Sequence, residues 1–347
     1  DYKTRYLADF SIGYNGSENF AEGSRFGFFP AGSIGWIISE EPFMKSLKPY
    51  ISYLKLRGSY GIVGNDIVSD GSRFLYLPDA YTISTEKYGF GSIVNNILVG
   101  AKESRIGNPN VTWETAAKQN YGVDLHFFDS RLKTSFDYFI EHRKDILISR
   151  NINPGYLAVS LPIVNMGKVD NKGFEVTARW EDQIQNVRYH VGTNWGYAKN
   201  KIVFNDEIPQ PYEWMRTGRP VGQQFGYIYD GFFTEEEAAN YASLKGQEGG
   251  IPDHGEGFTP LAGDVKYKDL NGDHKIDNND VSAIGNPIYP LLTGNLSMGF
   301  SWKGLDFSMT WAGAFKTSRL VADFYRYPFG STNNRSLLKY MIDDAWT

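Results

Sequence analysis

The chain contains no cysteine. Disulfides and thiolate metal sites are therefore excluded, and cysteine usage says nothing about redox compartment. It also lacks a basic block: Lys and Arg number 35 against 40 Asp and Glu, for a net charge of −5. That balance argues against a phosphate-tracking surface, so nucleic acid is not expected as a partner. No stretch approaches the roughly 18 consecutive apolar residues of a membrane helix. Residues 1–20 lack the charged start and apolar run of a secretory signal. Neither a Gly-x-Ser-x-Gly elbow nor a phosphate loop is present. The five histidines (His126, His142, His190, His254 and His274) fall without ligand spacing.

What the chain holds in excess is aromatic: 23 Tyr, 23 Phe and 8 Trp make 16% of it, with 37 Gly besides. Mean hydropathy is nevertheless −0.40, so the aromatics must be spread along faces rather than gathered in runs. The sequence shows such faces as strict two-residue alternation. Around residues 5–12, Tyr6, Ala8, Phe10 and Ile12 alternate with mostly polar neighbours. The same pattern recurs at 54–60, 120–127, 132–141, 174–180, 189–197, 296–302 and 305–311. Residues 28–38 bring the count to nine strands.

The connections alternate in length. Tight turns at Phe128–Arg131 and Trp302–Leu305, and moderate links at 39–50 and 181–188, take turns with long excursions at 13–27, 62–114, 142–172 and 200–290. Placing short links at one end and long ones at the other puts no strand out of order. Structureless excursions of that length are unusual in a compact soluble domain, yet they suit the outer rim of a membrane barrel. Soluble sandwiches and propellers alternate too, but their strands average about five or six residues. The alternating stretches here run about seven to eleven residues, and most strands are expected to reach the roughly nine to eleven that a tilted strand needs to cross a bilayer. Trp36, Trp180, Trp195, Trp302 and Trp311 are expected at interfacial girdles near strand ends. Nine strands cannot close under the even-number rule of bacterial barrels, so the expectation is an all-β chain forming part of a larger transmembrane antiparallel β-barrel.

Five phrases in order carry a family resemblance. They are Ser24–Pro30 with Gly35-Trp36 and Ser39–Met44; Leu54–Gly61 with Gly64-Asn65; Asn108–Glu114; Asn165–Glu175; and Gly263–Asp273. Together they resemble the C-terminal half of the SusC/RagA-like TonB-linked outer-membrane transporters, over essentially the whole chain. The resemblance implies a 22-stranded barrel in the outer membrane of a Gram-negative bacterium, filled by a plug. It further implies a SusD-like surface lipoprotein as partner, oligosaccharide or peptide as cargo, and energy from a TonB complex acting through the plug. Neither the plug nor the final strands are recognised in this chain, so TonB coupling is assigned to no residue here.

Within the 200–290 excursion, the stretch DLNGDHKIDNND at 269–280 has the spacing of a calcium loop. Asp269, Asn271, Asp273, Asp277 and Asp280 stand at loop positions 1, 3, 5, 9 and 12, and Lys275 offers its carbonyl at 7. Every donor is a hard oxygen, which favours calcium. The loop departs from the pattern at position 6, where His274 replaces glycine, and at 12, where Asp280 is shorter than glutamate. The bland reading is an Asp/Asn-rich turn whose carboxylates cap amides. No helix pair flanks the loop, so a structural clamp is expected rather than a regulatory switch.

Other candidates are weaker. Thr234–Glu237 reads as a capping box starting a short helix to about Leu244. The adjacent pairs Glu40-Glu41 and Asp343-Asp344 do not face each other as an acid and base would, and no motif sets two carboxylates at a working separation. No enzyme is expected. Tyr156, Tyr212, Trp214, Tyr227 and Tyr229 are plausible cargo contacts, each better explained singly as loop packing. The reading is thus active uptake of oligosaccharides or peptides. A secreted β-rich glycan-binding protein or adhesin with a calcium-stiffened loop is the alternative.

Overall fold

The computed structural model describes residues 1–67, 73–78, 82–89, 91, 97–102, 106–150, 161–209, 211, 213–321 and 337–343. Nine strands form one antiparallel sheet: β1 (Tyr6–Gly16), β2 (Phe26–Ile37), β3 (Ile51–Asn65), β6 (Glu114–Phe127), β7 (Leu132–Ile148), β8 (Val164–Ile184), β9 (Val187–Phe204), β14 (Leu292–Trp302) and β15 (Leu305–Phe315). Their spatial order is their chain order, each paired antiparallel to the next. The strands omitted from that sequence lie in connections: β4 (Thr82–Gly89) pairs with β5 (Ile97–Lys102), β10 (Gln224–Gly226) with β13 (Ser282–Ile284), and β11 (Tyr229–Phe232) with β12 (Val265–Tyr267).

Each strand expected from alternation overlaps one of the nine, with only Arg5 and Ile38 falling outside, but the ladders run further. β8 alone is 21 residues long, and the excursion expected at 142–172 contracts to 149–163. The added residues, such as Lys144, Lys168 and Asp170, put polar groups on the face that is apolar elsewhere in the sheet. Alternation of hydrophobicity is silent there, while backbone pairing continues.

Turn chemistry explains the short end. Lys303 and Gly304 both have positive φ, 45° and 87°, the conformation that matches strand twist in a two-residue hairpin. The β6–β7 turn carries Phe128, Asp129 and Ser130 at φ 54°, 55° and 65°. Two 3₁₀ turns, Ile38–Glu40 and Pro42–Leu47, make the longer β2–β3 link.

The sheet has one apolar and one polar face. Along β9 the apolar face shows Tyr189, Val191, Trp195 and Tyr197, and along β8 Trp180, Val176 and Phe174, in register. Nothing among the described residues packs on that face: Phe10 is 70% exposed and Ile34 71%. A soluble sandwich buries such a face under a second sheet. Here the hydrocarbon of a bilayer is the covering that physical chemistry allows.

Of the five expected girdle tryptophans, Trp36, Trp180 and Trp302 do stand near the short-turn ends of β2, β8 and β14. Trp195 and Trp311 instead occupy the interiors of β9 and β15. Trp195 stacks on Phe315 at 6.0 Å, acting there as plain apolar surface.

Contacts divide the chain into two units. The sheet belongs to the first, which includes residues 1–209, 216–221 and 291–315. The second takes 210–215, 222–290 and 316–347. Its core is Phe233, Tyr241 and Ile251 with Phe258 packed against them, and its helix α1 spans Glu235–Leu244.

Candidate functional site

The polar face of the sheet carries a dense ion network. Arg57 on β3 lies across Gly122 of β6. It donates to Asp137 on β7 at 2.6 Å, to Asp124 at 3.2 Å and to Asn120 at 3.3 Å. Three pleats on, Arg143 bridges Glu114 at 2.9 Å and Glu141 at 2.8 Å, and Lys118 approaches Glu141 at 3.6 Å. Alternation puts all these groups on one side, away from the lipid-facing stripe, where charge is tolerated. A concavity of about 520 Å³ opens on this face, lined by Lys133, Ser135, Thr177, Arg179, Asn194 and Ser297.

At the end with the long connections, the first unit gathers its only sizeable described core. Phe20, Leu75, Val111, Leu147 and Ile163 cluster with Trp113 alongside. Side-chain amides knit the connections together. Asn165 Oδ1 accepts from the Thr112 amide at 2.9 Å. Its Nδ2 donates to the carbonyls of Thr112 and Asp145, both at 2.8 Å. Asn108 Nδ2 reaches the Ile163 carbonyl at 2.9 Å, and Trp113 Nε1 the Arg25 carbonyl at 3.1 Å. The phrases 108–114 and 165–175 are therefore partners in space. Glu207 gathers the loop after β9: burial pushes its carboxyl up, but the Thr217 hydroxyl and the Arg216 and Thr217 amides outweigh this and hold it below the usual range.

At the short-turn end, Glu41 accepts from Tyr6 Oη at 2.8 Å, Trp36 Nε1 at 3.1 Å and Arg5 at 3.2 Å. Its neighbour Glu40 turns instead to Lys48 at 3.3 Å. The two carboxylates point to different partners and form no acid–base pair. Asp343 pairs with Lys339, and Asp344 lies outside the described residues.

In the second unit the capping box is as expected. Thr234 Oγ1 accepts from the Glu237 amide at 3.1 Å and Glu237 accepts from the Thr234 amide at 2.9 Å. Lys266 on β12 donates to both Glu237 oxygens at 2.8 and 3.0 Å, tying the helix to the sheet pair. That bond, joined by the Thr234 amide, holds the Glu237 carboxyl below the usual range against the opposing pull of burial.

The loop 269–280 is a chain of carboxylate–amide bonds. Asp269 accepts from Gly272 at 2.7 Å and His274 at 2.8 Å. Asp273 accepts from Lys275 at 2.9 Å and Asp277 from Asn279 at 2.7 Å. Asp280 is fully buried and takes the Leu270 and Asp277 amides, both at 2.8 Å. His274 has φ 63°, so the left-handed turn that a calcium loop assigns to glycine is made here by histidine. Donor chemistry and backbone suit a hard cation. Among the described residues, however, no three Asp, Glu or His side chains converge to a metal-sized cluster.

Of the aromatic cargo candidates, Tyr229 is 56% exposed and packs edge-on to Phe232 at 5.4 Å. Tyr227 leans on Tyr267 at 5.1 Å, and the Trp214 amide donates to the Pro211 carbonyl. Nothing gathers these three into one site, and Tyr156 and Tyr212 lie outside the described residues.

A meandering antiparallel sheet with a bare apolar face, a charged opposite face and alternating short and long links is the wall of a transmembrane β-barrel. The family described as TonB dependent receptor-like, beta-barrel matches residues 2–337, and the chain belongs to that family. A TonB-dependent receptor of Formosa agariphila is 34% identical over 338 residues, covering 89% of this chain and 31% of its own length. The TonB-dependent receptor SusC of Bacteroides thetaiotaomicron is 26% identical, covering 88% of this chain and 29% of its own. The RagAB peptide importer in its closed-closed state shares the fold, with a TM-score of 0.67 at 20% identity over 90% of this chain and 32% of that one. The chain thus spans about 30% of the length of these relatives. Family and fold place it in the outer membrane of a Gram-negative bacterium, and the secreted alternative falls.

Proposed function

We propose that this chain is part of the barrel of a TonB-dependent importer that carries oligosaccharides or peptides across the outer membrane. One observation carries the reading: a sheet with a lipid-compatible face and a polar, ion-paired inner face in a family of TonB-dependent receptors. The relatives are named receptors, among them SusC, and RagAB is described as a peptide importer. On this reading the long connections face the cell exterior and meet a SusD-like lipoprotein. Energy arrives from TonB through a plug outside this chain, and cargo is bound without chemical change. The test is uptake of labelled peptides and oligosaccharides by cells carrying or lacking the full-length protein, with TonB active or inactive. Uptake that persists without TonB function sinks the proposal.

The loop 269–280 is proposed as a calcium clamp within this importer. Asp269, Asn271, Asp273, the Lys275 carbonyl, Asp277 and Asp280 would hold the ion, which would supply cross-links between loop segments and no chemistry. The all-oxygen donor set and the left-handed backbone at His274 support this.

A further inference from the structure

The apolar stripe of the sheet ends abruptly on three adjacent strands. On β8, Trp180, Ala178, Val176 and Phe174 are followed on the same face by Lys172, Asp170 and Lys168. On β9, Tyr189, Val191, Thr193, Trp195 and Tyr197 give way to Lys199 and Lys201. On β7, Phe136, Tyr138 and Ile140 are followed by His142 and Lys144. Register places Lys172 directly opposite Lys199, and Asp170 between His142 and Lys201. Lys144, Lys172, Lys199 and Lys201 are all exposed.

Three features mark this cluster as more than solvated surface. First, its partners are missing. Inward-facing cations on β7 and β8 are ion-paired, Arg143 with Glu114 and Glu141 and Arg179 with Glu181; on β9 the inward Arg188 stands without a carboxylate partner among the described residues. Among the described residues no carboxylate lies within ion-pair reach of these four outward lysines; Asp170, the one acid beside them, is hydrogen-bonded to His142 at 2.8 Å. Second, like charges set directly across a strand pair destabilise it, so Lys172 against Lys199 is a cost that a bound anion would remove. Third, the depth is right. From Tyr189 to Lys199 is ten residues, about 33 Å along the strand and about 25 Å along the membrane normal at a tilt of about 40°, the height of a barrel's apolar band. The lysines therefore stand at the interface, just beyond the aromatic row Tyr138, Phe174 and Tyr197, where long cationic side chains reach headgroups.

We propose that Lys172, Lys199 and Lys201, flanked by Lys144, form a binding site on the outer wall of β7–β9 for the phosphorylated headgroup of an outer-leaflet glycolipid. Phosphate oxygens would bridge Lys172 and Lys199, and Lys201, one pleat further out, would meet a second anionic group. The acyl chains would lie along the Phe174, Tyr197 and Val176 surface. The site rests on the orientation proposed above, in which the long connections face outward.

The test uses the full-length protein in one non-ionic detergent, as wild type and as the K172Q/K199Q/K201Q variant. Each is titrated with bis-phosphorylated lipid A, with its dephosphorylated form and with inorganic phosphate, and bound lipid is counted by native mass spectrometry. Wild type is expected to bind the phosphorylated lipid at least tenfold more tightly than the dephosphorylated one, and the triple variant to lose that preference. Equal binding of the two lipids, an unaffected variant, or displacement of the lipid by equimolar inorganic phosphate each overturns the proposal. Lys303→Gln, at the short-turn end, is the control that should change nothing. Single Lys199→Gln and Lys201→Gln variants, each weakening binding several-fold, carry the test if the triple variant does not fold. Cargo uptake measured in parallel separates the two readings, because failed uptake with intact lipid preference leaves this site standing.

Discussion

Arg57 reaches over Gly122 to bond Asp137 at 2.6 Å, spanning a whole intervening strand. The passage exists because Gly122 has no side chain: a Cβ there would meet the guanidinium at 2.5 Å. Without Arg57, Asp124 and Asp137 would share the polar face with no cation between them. Gly122→Val should therefore lower the unfolding midpoint of the full-length protein, by the equivalent of about 1–3 kcal/mol for stranding partly buried charge-assisted bonds. Denaturation in detergent is the measurement, and a double-mutant cycle between Arg57→Met and Asp137→Asn isolates the pair. An unchanged midpoint for Gly122→Val would show that the guanidinium has another route.

Asn165 serves Thr112 as a β-strand neighbour would, accepting from its amide and donating to its carbonyl. Asn165→Asp keeps the acceptor and loses the donor to two carbonyls; Asn165→Ala loses both. The expected order of loop stability is wild type, then Asp, then Ala, at about 1 kcal/mol per lost bond. Limited proteolysis within 106–113 and 161–164 reads it, and equal cleavage rates for all three proteins would contradict it. The sheet should stay folded in each.

The sequence made the sheet legible because lipid and lumen impose opposite polarities on alternate residues, as Phe136, Tyr138 and Ile140 against Ser135, Asp137 and Glu141 show. It left the ladder ends hidden, because β7 and β8 continue through Lys144 and Asp170, which are polar on the otherwise apolar face. The capping box at Thr234 was legible since its two bonds are local in sequence. Asn165, Asn108 and Arg57 were not, because each acts on a residue far along the chain through register that no local pattern encodes. The outward lysines had a signal, the break in the apolar stripe after Phe174 and Tyr197. It acquires meaning only when β8 and β9 are aligned and Lys172 meets Lys199.

The Glu237–Lys266 contact gives the second unit a pH limit. The Glu237 carboxyl is held below its ordinary range, first by Lys266 and then by the Thr234 amide. A depressed carboxyl stabilises the fold above its unfolded pKa of about 4.3, and the contribution is lost as pH falls through the lower folded value. Protection of the α1 amides, taken relative to their intrinsic exchange rates at each pH, should thus be flat from pH 7 to about 5 and fall in more acidic solution. Glu237→Gln should exchange faster at neutral pH and show a weaker acid response. An identical acid response in the variant would remove Glu237 as the cause.

Orientation can be read chemically because the chain has no cysteine of its own. Glu248 is exposed in the connection between β9 and β14, and Lys303 in a short turn at the opposite end of the strands. In cells making the full-length protein with any other cysteines replaced, Glu248→Cys should react with a membrane-impermeant maleimide, and Lys303→Cys only after the outer membrane is opened. The reverse pattern would invert the barrel and move the lysine cluster to the inner leaflet.

Chelation separates a calcium clamp from a turn that capping alone maintains. Asp280 is buried with both oxygens committed to the Leu270 and Asp277 amides. Asp280→Asn would set an NH₂ against one of these donors and should loosen residues 260–285 whether or not calcium is present. Asp273 is exposed; asparagine there keeps the bond from the Lys275 amide and loses only the exposed one from Asn271 Nδ2 at 3.0 Å. Asp273→Asn therefore costs the capped turn little but removes a charged ligand from a cation site. If calcium holds the loop, chelator should speed proteolysis within 260–285 of the wild type, and Asp273→Asn should reproduce that effect in calcium. If carboxylate capping suffices, chelator and Asp273→Asn will both leave cleavage unchanged while Asp280→Asn still accelerates it. That outcome would assign the loop's five candidate side-chain ligands to turn formation and sink the clamp.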